Sequence, residues 1–117
     1  MEPLAKRHCV PCRGGTPRLT GGNLTWMASQ LASGWELVGE QKIRRVLRFP
    51  DFASGLAFVN AVGAIAEAEG HHPDLLLAWG RVEIEIWTHA IDGLSESDFI
   101  LAAKIDEITR PASPGTQ

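Results

Sequence analysis

The sequence predicts an α+β two-layer sandwich, in which a four-stranded antiparallel sheet carries about three helices on one face. Two pairs of short alternating segments each turn at a glycine, which is typical of β-hairpins. Three segments with apolar residues at helical spacing flank them, giving the order helix-β-β-helix-β-β-helix. At 117 residues, 44% of them hydrophobic, the chain fits one domain with its own core.

The composition predicts three regions along the chain and argues against two classes of partner, nucleic acids and membranes. Residues 1–23 are expected to form a flexible arm, residues 24–110 the folded domain, and residues 111–117 a disordered tail. A formal net charge of −3 argues against a nucleic-acid partner. No apolar run approaches a membrane span, and residues 1–20 lack the apolar core of a signal peptide. We therefore expect a cytoplasmic protein without a membrane partner.

The first half of the domain is predicted to contain a short helix and a hairpin. The helix has Leu24, Met27 or Ala28, and Leu31 at helical spacing and is expected to end at Gly34. The hairpin follows, with strands over residues 35–38 and 42–49. In its second strand Arg45 falls on the apolar side and breaks the alternation.

The central helix is predicted to begin after Asp51, a preferred N-cap residue, and to end at Gly70, which suits the left-handed conformation that terminates helices. Its apolar residues recur at spacings of three and four, so it should pack on the sheet. The predicted stripe is Phe52, Leu56, Val59, Gly63 and Ala66, widened by Phe58, Val62 and Ile65.

The second strand pair is predicted over residues 75–79 and 82–89, with its turn at Gly80. In the later strand, apolar side chains alternate with a set that includes Trp87 and His89. That set is expected to face away from the helices, which would leave Trp87 at a contact with a partner.

The last helix is predicted to start at a capping box over residues 95–98 and to stop at Pro111. Its expected buried stripe consists of Leu101, Ile105 and Ile108.

Three histidines provide the main chemical signal. His71 and His72 directly precede Pro73, and His89 follows downstream. Proline biases the residue before it toward extended backbone, where adjacent side chains diverge, so the two imidazoles should address different atoms. Neutral imidazole can move protons near neutral pH, and no serine or cysteine lies beside it in this loop. The loop therefore predicts acid–base catalysis rather than covalent catalysis.

Cys9 and Cys12 form a Cys-x-x-Cys pair, which can be half of a zinc site or a redox pair. A zinc site needs two more ligands; the sequence offers no second pair, and His8 adjoins Cys9 in an awkward geometry. We expect two reduced thiols on a mobile arm and no bound metal.

Seven residues form one pattern with characteristic spacings: Glu67, His71, His72, Pro73, Trp79, His89 and Asp98. This pattern resembles the signature of the pterin-4a-carbinolamine dehydratase family, and the resemblance covers roughly residues 24–108. It implies the fold predicted above. It also implies a homodimer or tetramer, because members of the family are dimers or dimers of dimers.

The resemblance implies that all three histidines are catalytic. His71 and His89 would form the acid–base pair, while His72 would chiefly orient the substrate. The expected reaction removes water from 4a-hydroxytetrahydropterin and gives quinonoid dihydropterin, which allows the pterin to be recycled. Water loss requires a proton for the C4a hydroxyl and removal of the N5 proton, which two imidazoles can accomplish without a cofactor or a metal.

The resemblance also implies roles for the remaining signature residues. Glu67 and Pro73 would bind the substrate, or Glu67 would orient an imidazole. Trp79 would line the pocket or fill the core. Asp98 lies in the predicted capping box, so a structural role and a role in the site both stand.

A second function remains open. Residues 69–75, 87–89 and 98–106 resemble the dehydratase-like branch of plastids and chemoautotrophic bacteria, which includes RuBisCO assembly factors. The alternative is therefore a catalytically idle protein that assists RuBisCO subunits as a chaperone.

Overall fold

The computed structural model describes residues 3–9 and 17–109. Its helices are α1 (Gly21–Ala28), α2 (Phe52–Glu69) and α3 (Glu96–Thr109). Its strands are β1 (Glu36–Val38), β2 (Lys42–Arg48), β3 (Asp74–Ala78) and β4 (Arg81–Ile86). Short 3₁₀ turns cover Leu4–Lys6 and His89–Ile91. The predicted α+β fold is confirmed, and within the described residues no helix is long and apolar enough to cross a membrane.

The four strands form one antiparallel sheet in the order β1-β2-β4-β3. In the central pair, Ile43 lies opposite Ile86 and Leu47 lies opposite Val82. These alternate positions share the face that meets the helices, and Ile43, Ile86 and Val82 are almost fully buried. The two-residue periodicity of the strands therefore builds the sheet side of the core.

Both predicted ends of α2 are confirmed. The Asp51 carboxylate accepts a hydrogen bond from the Ser54 backbone N–H at 2.8 Å and caps the helix. Gly70 ends it with a φ of 67°, a conformation that glycine adopts without steric cost. The next backbone N–H, that of His71, donates to the Ala66 carbonyl at 3.2 Å. The end of α2 thus fixes the backbone position of His71, the first of the site histidines.

The buried stripe of α2 differs from the predicted one. Gly55, Phe58, Val62 and Ala66 are buried, whereas Phe52 and Leu56 are 44% and 42% exposed. Gly55 lets the helix approach the sheet, because a Cβ there would lie 3.1 Å from the Leu77 side chain. Apolar and small residues occur on every face of α2. The spacing of its apolar residues alone therefore did not identify the face that packs on the sheet.

The start of α3 follows the predicted capping box. The Ser95 backbone N–H donates to Oδ2 of Asp98 at 2.8 Å. Leu101 and Ile105 are fully buried as predicted, but Ile108 is 40% exposed. The expected stop at Pro111 lies outside the described residues.

Part of the region expected to form a flexible arm, residues 3–9, is packed on the domain. Leu4 is 4% exposed and belongs to the core, and the Lys104 ammonium donates to the Ala5 carbonyl at 2.9 Å. Helix α1 also starts at Gly21, earlier than predicted. The described residues 3–9 therefore pack against α3. Cys12 and the expected tail over 111–117 lie outside the described residues.

Arg45 breaks the strand alternation because it has a partner inside the protein. Its guanidinium lies 2.6 Å from Oδ1 of Asp106, which also accepts from the Trp35 indole N–H at 2.7 Å. The Ala32 backbone N–H donates to the other oxygen at 2.9 Å. This network joins β2, α3 and the segment after α1, so Arg45 is a structural residue.

The end of β4 differs from the prediction. The strand stops at Ile86, and the His89–Ile91 turn follows. The Thr88 backbone N–H donates to the Gly93 carbonyl at 2.8 Å, which closes a small loop. His89 therefore lies on this loop rather than on a strand face.

Candidate active site

A cavity of about 460 Å³ lies where the end of α2 meets the loop after β4. The three histidines predicted for the site and Pro73 line it. Its lining residues are Gly70, His71, His72, Pro73, Asp74, Trp87, Thr88, His89 and Ala90. The fold thus brings together side chains from the loop after α2 and the loop after β4.

His71 is held by a buried carboxylate. Its Nε2 donates to Oδ1 of Asp98 at 2.6 Å, and the side chain of His71 is 12% exposed while that of Asp98 is fully buried. Because a carboxylate accepts, Nε2 carries the proton. This leaves Nδ1 as the ring nitrogen that can exchange a proton with a ligand.

The second carboxylate oxygen of Asp98 is also bonded. Oδ2 accepts from the Thr88 hydroxyl at 2.7 Å and from the Ser95 backbone N–H at 2.8 Å. The hydroxyls of Thr88 and Ser95 lie 3.0 Å apart. Asp98 thus caps α3 and orients His71, so the two roles left open by the sequence coexist. The sequence pattern placed Ser95 only in the capping box and did not indicate a site role for Thr88, although Thr88 directly precedes a site histidine.

His72 is held at the cavity rim by a different carboxylate. Its Nε2 donates to Oε2 of Glu67 at 2.5 Å, and both side chains are mostly exposed. An exposed pair of this kind contributes little stability. Through this contact Glu67 can hold the imidazole of His72 at the rim.

Among the described residues, the ring of His89 has an aromatic neighbour and no carboxylate partner. Its ring centroid lies 4.0 Å from that of Trp87, with an angle of 31° between the planes. Trp87, which the sequence predicts at a partner contact, lines the cavity in this structure. Both residues follow the end of β4 at Ile86, so their rings lie on the segment after the strand.

Comparison with known proteins identifies the family of the chain. The family described as Pterin 4 alpha carbinolamine dehydratase matches residues 17–108. The chain belongs to this family.

Two relatives provisionally named pterin-4-alpha-carbinolamine dehydratase match nearly the whole chain. The one from Rubrobacter xylanophilus is 53% identical over 108 residues, which are 92% of this chain and 100% of the relative. The one from Alkaliphilus metalliredigens is 46% identical over 107 residues, covering 92% of this chain and 96% of the relative.

Two solved structures of the dehydratase type share the fold. A transcriptional coactivator/pterin dehydratase from Brucella melitensis superposes with a TM-score of 0.73 at 32% identity, covering 79% of this chain and 98% of that one. A pterin dehydratase-like protein identified as a RuBisCO assembly factor in the alpha-carboxysome gives a TM-score of 0.57 at 24% identity, covering 66% and 90%. The second likeness shows the fold alone.

Among the dehydratase signature residues, Trp79 lies away from the cavity. It is 72% exposed in the turn between β3 and β4, so it neither lines the pocket nor fills the core of this chain. Asp74, next to the histidine loop, begins β3, and Trp79 follows its last residue, roughly 17 Å away at ~3.3 Å per residue.

The Cys9 thiol is protonated near neutral pH. Burial, with a smaller contribution from Glu69, raises its pKa to about 12. Its Sγ donates to the Ser97 carbonyl at 3.4 Å, and His8 lies 3.0 Å from Glu69. Within residues 3–9 and 17–109, no group of three or more His, Cys, Asp or Glu side chains could hold a metal ion.

Proposed function

We propose that this member of the family dehydrates 4a-hydroxytetrahydropterin to quinonoid dihydropterin by histidine acid–base catalysis. The observation that carries the proposal is the meeting of His71, His72 and His89 at one cavity, with His71 oriented by the buried Asp98. The volume of about 460 Å³ suits a bicyclic ligand. Family membership supports the choice of substrate class.

The reaction needs proton transfer at two ends of the substrate. The C4a–O bond breaks as the hydroxyl takes up a proton and leaves as water. N5 loses its proton, and its electron pair forms the new N5–C4a double bond. His71 is assigned to N5, because the Asp98 carboxylate at 2.6 Å compensates the positive charge that the ring acquires. His89 is assigned to the leaving hydroxyl, and His72 to substrate orientation.

The test is a decay assay with 4a-hydroxytetrahydropterin produced in situ by an aromatic amino-acid hydroxylase. The wild-type protein should accelerate formation of quinonoid dihydropterin. His71→Ala and His89→Ala should each lower kcat by about 10²–10⁴-fold, since each removes one proton-transfer group. His72→Ala should mainly raise KM. A wild-type rate equal to that of buffer would contradict the proposal.

Assistance to RuBisCO subunits is the second candidate function. It is supported by the fold shared with the assembly factor of the alpha-carboxysome. The assay is the yield of active RuBisCO refolded with and without this protein. An increased yield that His71→Ala leaves unchanged, together with an inactive wild type in the pterin assay, would favour this candidate.

We also propose that the protein forms a homodimer or tetramer through the edge of the sheet at β3. Strand β3 pairs with β4 along one side, and among the described residues no strand covers its other side. Leu76 on this strand is 46% exposed, and Trp79 after it is 72% exposed. Open edges with exposed apolar groups favour pairing with another chain.

A further inference from the structure

His89 is held differently from the other two site histidines. His71 and His72 each donate to a carboxylate, whereas the His89 ring lies against the Trp87 indole at a centroid distance of 4.0 Å. Within the part of the chain that the structure describes, the His89 ring has no hydrogen-bond partner. Its orientation therefore depends on the aromatic contact.

We infer that Trp87 is a positioning residue that fixes the His89 imidazole at the cavity. His89 is exposed and begins a short 3₁₀ turn, so its side chain would otherwise sample several rotamers. A tilted ring contact at 4.0 Å restricts that freedom. The functional consequence rests on the proposed dehydration, because a proton donor must be held in place at the leaving hydroxyl.

The Trp87 indole is in turn held by neighbouring strands. Its Nε1 donates to Oδ2 of Asp74 at 3.4 Å, at the start of β3. The Lys42 ammonium of β2 lies 5.7 Å from the ring centroid, a cation–π distance, and it also meets Glu85 of β4 at 3.2 Å. Side chains from three strands thus fix the position of the indole, and the contact between the two rings in turn fixes the position of His89.

The aromatic contact also suits the assigned chemistry. The indole carries a single N–H donor and no acceptor, so it can hold the His89 ring but cannot itself take up or relay a proton. The charged groups around the indole are Lys42, Asp74 and Glu85, and His71 and His72 line the same cavity. Trp87 thereby acts on the reaction through His89 and not through direct proton transfer.

The experiment combines kinetics with NMR on Trp87→Leu and Trp87→Phe. Trp87→Leu should lower kcat by roughly tenfold to a hundredfold with a smaller change in KM, because a misplaced donor slows the chemical step. Trp87→Phe keeps an aromatic face and should restore most of the activity. Trp26→Leu removes an indole that is 57% exposed on α1 and should behave as wild type.

The NMR arm needs no enzymatic activity, so it distinguishes failure of this inference from failure of the proposed function. Ring current from the indole should shift the His89 ring protons upfield in the wild type. That shift should vanish in Trp87→Leu, remain partly in Trp87→Phe and persist in Trp26→Leu. Wild-type kcat in Trp87→Leu, or His89 proton shifts that do not change in that variant, would overturn the inference.

Discussion

The Nε2 atom of His71 lies 2.6 Å from Oδ1 of Asp98, and the Asp98 side chain is fully buried. Asp98→Asn keeps the shape of the side chain and removes its charge. We expect kcat to fall by about 10²-fold or more, because the imidazolium loses its compensating charge. Asp51→Asn is the matched control, since asparagine also caps helices and Asp51 lies at the exposed start of α2. Equal kcat values in the two variants would refute the role of Asp98.

Thr88→Val should weaken both stability and catalysis. It leaves Oδ2 of Asp98 without the hydroxyl donor at 2.7 Å, in a fully buried position. The expected loss in free energy of unfolding is about 1–3 kcal/mol, measured by urea denaturation. Thr88→Ser restores the donor and should recover most of it. A valine variant as stable as the wild type would show that the hydroxyl is dispensable.

Asp106→Ala should destabilise the fold by roughly 3–5 kcal/mol, because it leaves Arg45 and the Trp35 indole N–H without their acceptor. The double variant Arg45→Met/Asp106→Leu removes both charges and should recover most of the stability. Denaturant midpoints test this comparison. A double variant no more stable than Asp106→Ala would contradict the unpaired-charge explanation.

The free energy of unfolding should fall at acid pH, because protonation of Glu69 removes a contribution to it. The Cys9 backbone N–H, assisted by His8 and Lys104, holds the pKa of this carboxyl below its ordinary value. A carboxyl with a lowered folded pKa contributes its full stability above the unfolded value of ~4.3, and loses it as pH falls through the folded pKa. Asp51 has the same sign, because Ser54 lowers its pKa.

The measurement is the free energy of unfolding between pH 7 and pH 2, with Asp51→Asn as a common background. Glu69→Gln in that background should be less stable at neutral pH and should lose less stability on acidification than its parent. Parallel curves for the two proteins would show that Glu69 does not contribute to the acid transition.

The assembly proposal predicts a dimer or tetramer mass in light scattering at micromolar concentration. Leu76→Lys places a charge on β3 and should shift the protein toward smaller species. Val38→Lys places the same charge on β1, the opposite edge strand, and should leave the mass unchanged. A monomeric wild type would refute the assembly, and a shift confined to Val38→Lys would move the contact to β1.

The sequence by itself determined the elements that depend on local chemistry. The cap at Asp51, the left-handed stop at Gly70 and the capping box at residues 95–98 all involve groups within a few positions of each other. Strand alternation likewise revealed the inner face of the sheet, and the anomaly at Arg45. Such features follow from short-range hydrogen bonding and periodicity, which a linear pattern contains.

Only the tertiary structure decided which distant groups meet. His71 contacts Asp98 across 27 positions, and Arg45 contacts Asp106 across 61. Trp87 lines the cavity and Trp79 does not. Trp79 lies in the turn between β3 and β4, whereas Trp87 follows the other end of β4 at Ile86. Packing of α2 and α3 on the sheet sets these distances, and side-chain spacing along the chain does not encode them.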